Sequence, residues 1–350
     1  MKVYVGMSGG VDSSLSAALL VEAGYDVTGV YMKNWSRDLP GMKCPWAEDL
    51  ADAKRVAVQL GIPFKVFDFE REYKHLVVDY MISEYKAGRT PNPDIMCNQE
   101  VKFGLFLRAA LAEGTDFIAT GHYARVKDGR LLRARDEDKD QTYFLYRVTA
   151  EALEKTIFPI GHLTKTEVRA EAAKRGLITA RKKDSQGICF VGNVGIREFL
   201  SQFVETTPGD IIEKETGKIL GRHDGAIFYT FGQRHNLGVG GGLPYYVVGK
   251  DMSRNEIYVS SNLNNSEFWR SEIELTDVHW INPPLAGSHP AKEMQVRIRH
   301  RAPLKSATIL AGSHPARIIV KLAESERAVA SGQSVVIYND EICLGGGVVT

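Results

Sequence analysis

The segment Gly6-Met7-Ser8-Gly9-Gly10-Val11-Asp12-Ser13-Ser14 decides the fold. It stands between residues 2–7, an apolar run that reads as a buried parallel strand, and residues 15–23, which read as a helix. Gly9 and Gly10 allow positive φ and a close backbone approach to a ligand. Ser13 and Ser14 add hydroxyl donors, and the start of the helix adds free N–H groups and its dipole. Together they predict a cradle for an anion. A plain glycine turn with an Asp/Ser cap would use some of the same residues, but the full SGGxDSS string directly after the first strand is far more specific. A GK[ST] sequence is missing, which disfavours transfer of a γ-phosphate.

Working outward, residues 26–32, 63–69 and 116–120 read as further strands. Residues 47–60, 72–85 and 100–112 read as helices, stopped near Gly61, Gly88 and Gly114. This alternation predicts βαβ units and a parallel sheet covered on both faces, with ligands at the carboxyl ends of its strands. After about residue 205 the pattern changes. Residues 210–212, 226–229, 245–248 and 256–259 are short β-type segments set among glycines, and from about 272 apolar and polar residues alternate over 295–300, 307–310, 317–322 and 334–338, suggesting a small antiparallel sheet or barrel. The chain therefore reads as an α/β domain over residues 1–205, a small β-rich domain over 206–271 and a β-barrel over 272–350.

The composition agrees with a multidomain globular protein. The 350 residues are 44% hydrophobic and 25% charged, enough to bury cores without staples. No run approaches the roughly 18 apolar residues of a membrane span, and the first residues show no signal-peptide pattern, so the expected compartment is the cytoplasm, with no membrane partner. Net charge is +1, from 44 basic and 43 acidic residues, which argues against indiscriminate coating of nucleic acid. Basic residues are nevertheless clustered. If residues 297–301 form a strand, Arg297, Arg299 and Arg301 share one face, with His300 and Lys305 close by, and such a row suits a phosphate backbone. The stretch from Arg125 to Arg135 reads as a salt-bridged surface hairpin, and Lys174, Arg175, Arg181, Lys182 and Lys183 are further candidates for holding phosphate.

The four cysteines, Cys44, Cys97, Cys189 and Cys343, are too scattered for a zinc finger or a disulfide framework. Cys97 follows the double-proline loop Thr90-Pro91-Asn92-Pro93-Asp94, near the start of the helix read over 100–112. That position predicts a lowered thiol pKa, and Asp94 can move a proton or cap the turn. Cys189 follows Arg181, Lys182 and Lys183, an electropositive setting for a reactive thiol. Packing is the competing reading for both, and is the reading adopted for Cys44 and Cys343.

Taken in order, the glycine loop, TPNPDIMCN at 90–98, TGHYAR at 120–125, KKDSQGICFVG at 182–192, GQRHNLGVGG at 232–241, SGQSVVIY at 331–338 and CLGGGVV at 343–349 resemble the bacterial tRNA-specific 2-thiouridylase family over essentially the whole chain. The glycine loop itself resembles the PP-loop of ATP pyrophosphatases. The resemblance implies an N-terminal PP-loop (adenine nucleotide alpha hydrolase-like) domain, a small central domain and a C-terminal β-barrel. It implies a tRNA-uridine 2-sulfurtransferase that adenylates the C2 oxygen of wobble uridine 34 with ATP and Mg2+, then delivers sulfur to C2. ATP would be bound by Gly6, Met7, Ser8, Gly9, Gly10, Val11, Asp12, Ser13, Met32 and Gly121. Cys189 would carry a persulfide and Cys97 would attack it, leaving a Cys97–Cys189 disulfide for a reductant to reopen. Asn92, Pro93 and Asp94 would meet the target base. His122, Lys139, Asp140, Gln141, Arg299, His300 and Gln333 would touch tRNA; His300 stands where the family often has Tyr. The implied partners are tRNAs of the Lys, Glu and Gln type and a cysteine desulfurase or sulfur-relay protein. No dedicated metal cage is expected, although Cys97, Cys189 and Asp94 are also ligand types for an Fe–S cluster. Two other classes compete: a PP-loop synthetase making an amide or amine, which needs neither paired thiols nor an RNA surface, and a non-catalytic nucleotide-gated RNA-binding module, which tolerates Cys→Ser at both positions.

Overall fold

The computed structural model describes residues 1–38, 44–183, 195–239, 244–262, 264, 268–282, 293–312, 314 and 316–350. Five parallel strands form the first sheet: β1 (Lys2–Gly6), β2 (Asp26–Lys33), β3 (Phe64–Asp68), β4 (Phe117–Thr120) and, numbered after a hairpin of β5 (Arg125–Lys127) and β6 (Arg130–Leu132), β7 (Thr156–Ile157). Their order is β3-β2-β1-β4-β7. β1 is central and its side chains divide by the two-residue strand period. Val3 and Val5 pack with Ala17 and Leu20 of α1 (Val11–Glu22) and Ala53 and Val56 of α2 (Trp46–Leu60). Tyr4 packs on the opposite face against Phe106, Leu107 and Ala110. Both faces are covered, as the strand–helix alternation requires.

The helix expected over 100–112 begins earlier, at Pro93. Asn92 caps it by accepting from Asp94 N at 3.1 Å, and proline at the first position costs nothing there because that N–H has no helical partner. The run passes from Pro93–Met96 through a π-helical stretch, Cys97–Phe106, to Leu107–Ala112. A second π-helical stretch, Lys74–Asp79, lies inside the helix expected over 72–85.

The middle region forms a four-stranded sheet from Gly209–Glu213, Ile219–His223, Tyr246–Asp251 and Glu256–Ser260. Residues 226–229, expected as β, instead make a 3-10 turn at Ala226–Phe228 that buries Ala226 and Ile227. The last region closes a six-stranded barrel in the order Trp269–Trp280, Ile318–Arg327, Lys305–Ala311, Glu293–Arg297, Ser334–Asn339 and Ile342–Val349, the last pairing back with the first. The β5–β6 hairpin extends this sheet: Leu131 and Leu132 pair with Cys343 and Ile342. Behind it, Tyr143 and Tyr146 bury against Val336 and Tyr338, so the first domain and the barrel share a core. Tyr143 OH donates to Ser334 O at 2.9 Å across that seam. No helix among the described residues is long and apolar enough to cross a membrane.

Candidate active site and nucleic-acid interface

Gly6, Met32 and Gly121 lie at the carboxyl ends of three adjacent strands, β1, β2 and β4. From β1 the chain turns through Ser8 and Gly9, whose φ is +74°, into α1, with Gly10 in extended conformation as its N-cap. Ser13 Oγ accepts from Ser8 N at 3.2 Å, and Ser13 and Ser14 donate to Gly10 O at 3.2 and 2.8 Å. These bonds fold the loop back over the helix start, where backbone N–H groups and dipole favour an anion. Met7 and Val11 are buried beneath the loop. Two close approaches complete the cradle. A Cβ on Gly6 would stand 3.0 Å from Met32 Cε, and one on Gly121 would stand 2.6 Å from Ser13 N. Only glycine at 121 lets the β4 loop close against α1.

Asp12 faces two groups from elsewhere in the chain. Lys165 Nζ lies 2.8 Å from its Oδ1 and 2.9 Å from its Oδ2, and Tyr123 OH donates to Oδ1 at 2.9 Å. Lys165 opens the helix Lys165–Lys174, fixed by a Thr164/Glu167 capping box. It brings an ammonium to the rim of the glycine loop. Sequence reasoning missed Lys165; its only local signal was the capping pattern Thr164-x-x-Glu167. Other basic residues upstream of Cys189 are committed. Arg175 pairs with Glu22 at 2.7 Å and with Glu171, and Lys182 reaches Asp49 at 2.8 Å and Asp52 at 2.7 Å. For Arg175 and Lys182 the expectation of holding phosphate is corrected, because carboxylates that fix helices take their charge.

Cys97 is 1% exposed, packed with Tyr73, Val101 and Phe199. Burial raises its thiol pKa, and the nearby Asp94 raises it further, while Lys102 and Tyr73 act in the opposite direction. The lowered pKa expected from a helix start is therefore corrected. Cys97 sits one turn inside the helix rather than at its end, and desolvation exceeds the dipole. The π-helical stretch explains Lys102. With i→i+5 bonding, Cys97 and Lys102 lie on one face, where an α-helix would place them well apart. Lys102 also helps depress His122, whose imidazole is 8% exposed, shares a 2.8 Å hydrogen bond with Thr120 Oγ1 and is held well below its ordinary pKa mainly by burial. Asp94, Cys97, Lys102 and His122 are thus brought together, and His122 is neutral at neutral pH. Cys189 lies outside the described residues. Cys44 and Cys343 are buried with raised pKa values, first through desolvation, as inert packing thiols should be.

The expected row of arginines does not form. The strand ends at Arg297, and Arg301 has φ +63°. Arg297 is 5% exposed and pairs at 2.7 Å with Asp140, itself 1% exposed. Asp140 also accepts from Ala134 N at 3.0 Å and from Thr142 Oγ1 at 2.8 Å. Its implied side-chain contact with tRNA is corrected, because the carboxylate is buried and its partners lie inside the seam. Asp140 instead holds Lys139 and Gln141, both partly exposed, at the seam's edge. Gln141 is fixed further by accepting from Tyr123 N at 2.9 Å. Arg299 donates to Arg327 O at 2.8 Å and Ala328 O at 2.7 Å. His300 lies 4.4 Å, ring to ring, from Phe144. Among the described residues, His300 Nδ1 and Gln333 Oε1 are buried polar atoms without a hydrogen-bond partner.

Three family models cover the chain. The tRNA methyl transferase HUP domain matches residues 1–193, the tRNA methyl transferase PRC-barrel domain 197–261 and the aminomethyltransferase beta-barrel domain 270–349. Full-length relatives are more specific. A tRNA-specific 2-thiouridylase of Bacillus licheniformis is 48% identical over 99% of this chain and 94% of its own, and that of Bacillus subtilis 46% identical with the same coverage. That of Streptococcus sanguinis is 45% identical over 100% of this chain and 95% of its own. The chain belongs to the tRNA-specific 2-thiouridylase family.

Proposed function

We propose that this protein is an ATP-dependent tRNA sulfurtransferase that converts a wobble uridine, in tRNAs of the Lys, Glu and Gln type, to 2-thiouridine. The observation that carries the reading is the closed cradle of Gly6–Ser13 against Gly121, at the same strand ends as the Asp94–Cys97–Lys102–His122 cluster. The word "methyl transferase" in the family descriptions fits this pairing less well than the thiolation named for the full-length relatives.

The chemistry follows from the groups present. A uridine C2 oxygen is a poor leaving group. Its attack on the α-phosphate of ATP breaks the bond to pyrophosphate and leaves the oxygen esterified to AMP. The cradle's N–H groups stabilise the departing pyrophosphate; Lys165 stands at its rim paired with Asp12 and holds that carboxylate away from the phosphates, and Mg2+ would accompany the triphosphate. Sulfur then attacks C2 and AMP leaves with the oxygen. The sulfur comes from a persulfide on Cys189, loaded by a cysteine desulfurase or sulfur-relay protein; Cys97, as thiolate, attacks the inner sulfur, forms a Cys97–Cys189 disulfide and frees hydrosulfide. Lys102 is the cation that favours the Cys97 thiolate. The base reaches these groups only by leaving its stack, which suits a splayed anticodon loop. Asn92, Pro93 and Asp94 meet it, and Lys139, Gln141, Arg299, His300 and Gln333 hold the surrounding RNA. An RNA partner would satisfy His300 Nδ1 and Gln333 Oε1, which are otherwise costly to bury. A tRNA substrate places the work in the cytoplasm.

The nucleotide products test this. tRNA-dependent release of AMP and pyrophosphate is expected from ATP; release of ADP and phosphate would overturn the adenylation step.

A further inference from the structure

A cavity of about 210 Å³ lies where the three domains meet. Thr90 of the first domain, Phe231 and Lys250 of the second, and Arg270, Ala330 and Ser331 of the barrel line it. Among the described residues, none that lines it is acidic. Lys250 Nζ donates to Tyr229 O at 2.9 Å, and neither Lys250 nor Arg270 takes part in an ion pair among the described residues. The cross-strand neighbour of Arg270, Glu326, is engaged by Lys305 at 2.7 Å. Burial lowers the Lys250 pKa to about 8. Two cations around one cavity without a counter-charge are an electrostatic cost that a bound anion relieves.

The position of the cavity narrows the choice of anion. Thr90 N donates to Ser331 O at 2.9 Å, which ties the cavity wall to the loop that continues into Asn92, Pro93 and Asp94. On its other side, Ala328, whose carbonyl anchors Arg299, leads through Ala330 and Ser331 to Gln333. Thr90 and Thr230 hydroxyls, 3.2 Å apart, add donors at the rim.

We infer that this three-domain cavity is an oxyanion site that receives a backbone phosphodiester of the RNA substrate, held by Lys250 and Arg270. The inference rests on the tRNA reading above and extends it to the central domain. By clamping one phosphate among all three domains, the site couples RNA binding to the placement of the loop at the target base.

The test uses the full chain with Lys250→Met, Lys250→Arg and Arg270→Gln, each checked for an unchanged thermal midpoint. Binding to unmodified tRNA is measured across a salt series, together with the KM for ATP. Loss of one charged phosphate contact should weaken tRNA binding roughly tenfold and reduce the slope of log Kd against log salt by about one, with the ATP KM unchanged. Lys250→Arg should recover most of the affinity. Should Lys250→Met fail to fold, Arg270→Gln carries the same prediction. Unchanged tRNA affinity and salt slope in folded variants would overturn the inference while leaving wild-type thiolation intact; failure of the wild type itself to thiolate tRNA would instead overturn the proposed function. A separate arm adds inorganic phosphate. If phosphate raises the wild-type midpoint through Lys250 but tRNA binding ignores the substitution, the site holds free phosphate and the RNA assignment is wrong.

Discussion

Gly121→Ala offers a sharp test of the cradle. The added Cβ would lie 2.6 Å from Ser13 N, 2.8 Å from Asp12 C and 3.0 Å from Ser13 Cα, the nearest about 0.8 Å inside the 3.4 Å at which ordinary contact begins. All three atoms are backbone, in the first turn of α1, and Ser13 is buried, so no flexible side chain can give way. Overpacking of this kind costs about 1–3 kcal/mol. The displaced group is also one of the N–H donors at the helix start, and a misplacement near 1 Å at a reacting centre costs about 10²-fold in rate. ATP affinity by calorimetry, the thermal midpoint and turnover should all fall, turnover the most. Gly114→Ala is the control: Gly114 has φ +75° but nothing within 4 Å of the added carbon, so it should lose about 1 kcal/mol of stability and leave ATP binding alone. ATP affinity within twofold of wild type for Gly121→Ala would refute the assignment of this loop as the nucleotide cradle.

Asp140→Ala should destabilise the protein by about 3–5 kcal/mol, because it leaves the Arg297 guanidinium charged in the seam without its partner; a chemical-denaturation shift below 1 kcal/mol would show that the pair is not needed there. Cys97 should react slowly with iodoacetamide in the free enzyme, since burial both shields it and raises its pKa, and site-resolved mass spectrometry should find faster labelling with tRNA and ATP bound; rapid labelling without ligands would contradict its buried placement. His300 has a folded pKa near 4, lowered by burial and then by Arg301 and Arg297, against about 6.5 unfolded. The unfolded chain thus takes up the proton first, and stability contributed by neutral His300 is present above pH 6.5 and lost as pH falls from 6.5 towards 4. His300→Tyr should flatten that acid limb in thermal midpoints measured across the range; an identical limb would assign it to other groups.

Much of this was legible in the chain. The glycine loop and the strand–helix alternation specify the parallel sheet because a central strand buried on both faces reads as a continuous apolar run, and helices ending at Gly61 or Gly114 announce their stops. The barrel was legible only as alternation. Its longest strand, Trp269–Trp280, mixes charged and aromatic residues and shows little period, because its shifted pairing serves two neighbours. The electrostatics were the least legible. Arg297 and Asp140 are 157 positions apart, and nothing local says that each cancels the other. Lys102 was hidden by helix type: at α-helical spacing it faces away from Cys97, and only a π-helical stretch aligns them. Burial of Cys97 likewise depends on Tyr73 and Phe199, which approach it from distant segments.

The central claim is that one enzyme uses ATP and the thiols Cys97 and Cys189 to place sulfur on uridine C2. Nucleoside mass spectrometry of unmodified tRNA incubated with the protein, ATP and a persulfide donor measures it directly. The account predicts 2-thiouridine with the wild type, dependent on ATP, and none with Cys97→Ser or Cys189→Ser. Absence of 2-thiouridine with the wild type, or full yield from both serine variants, would contradict it.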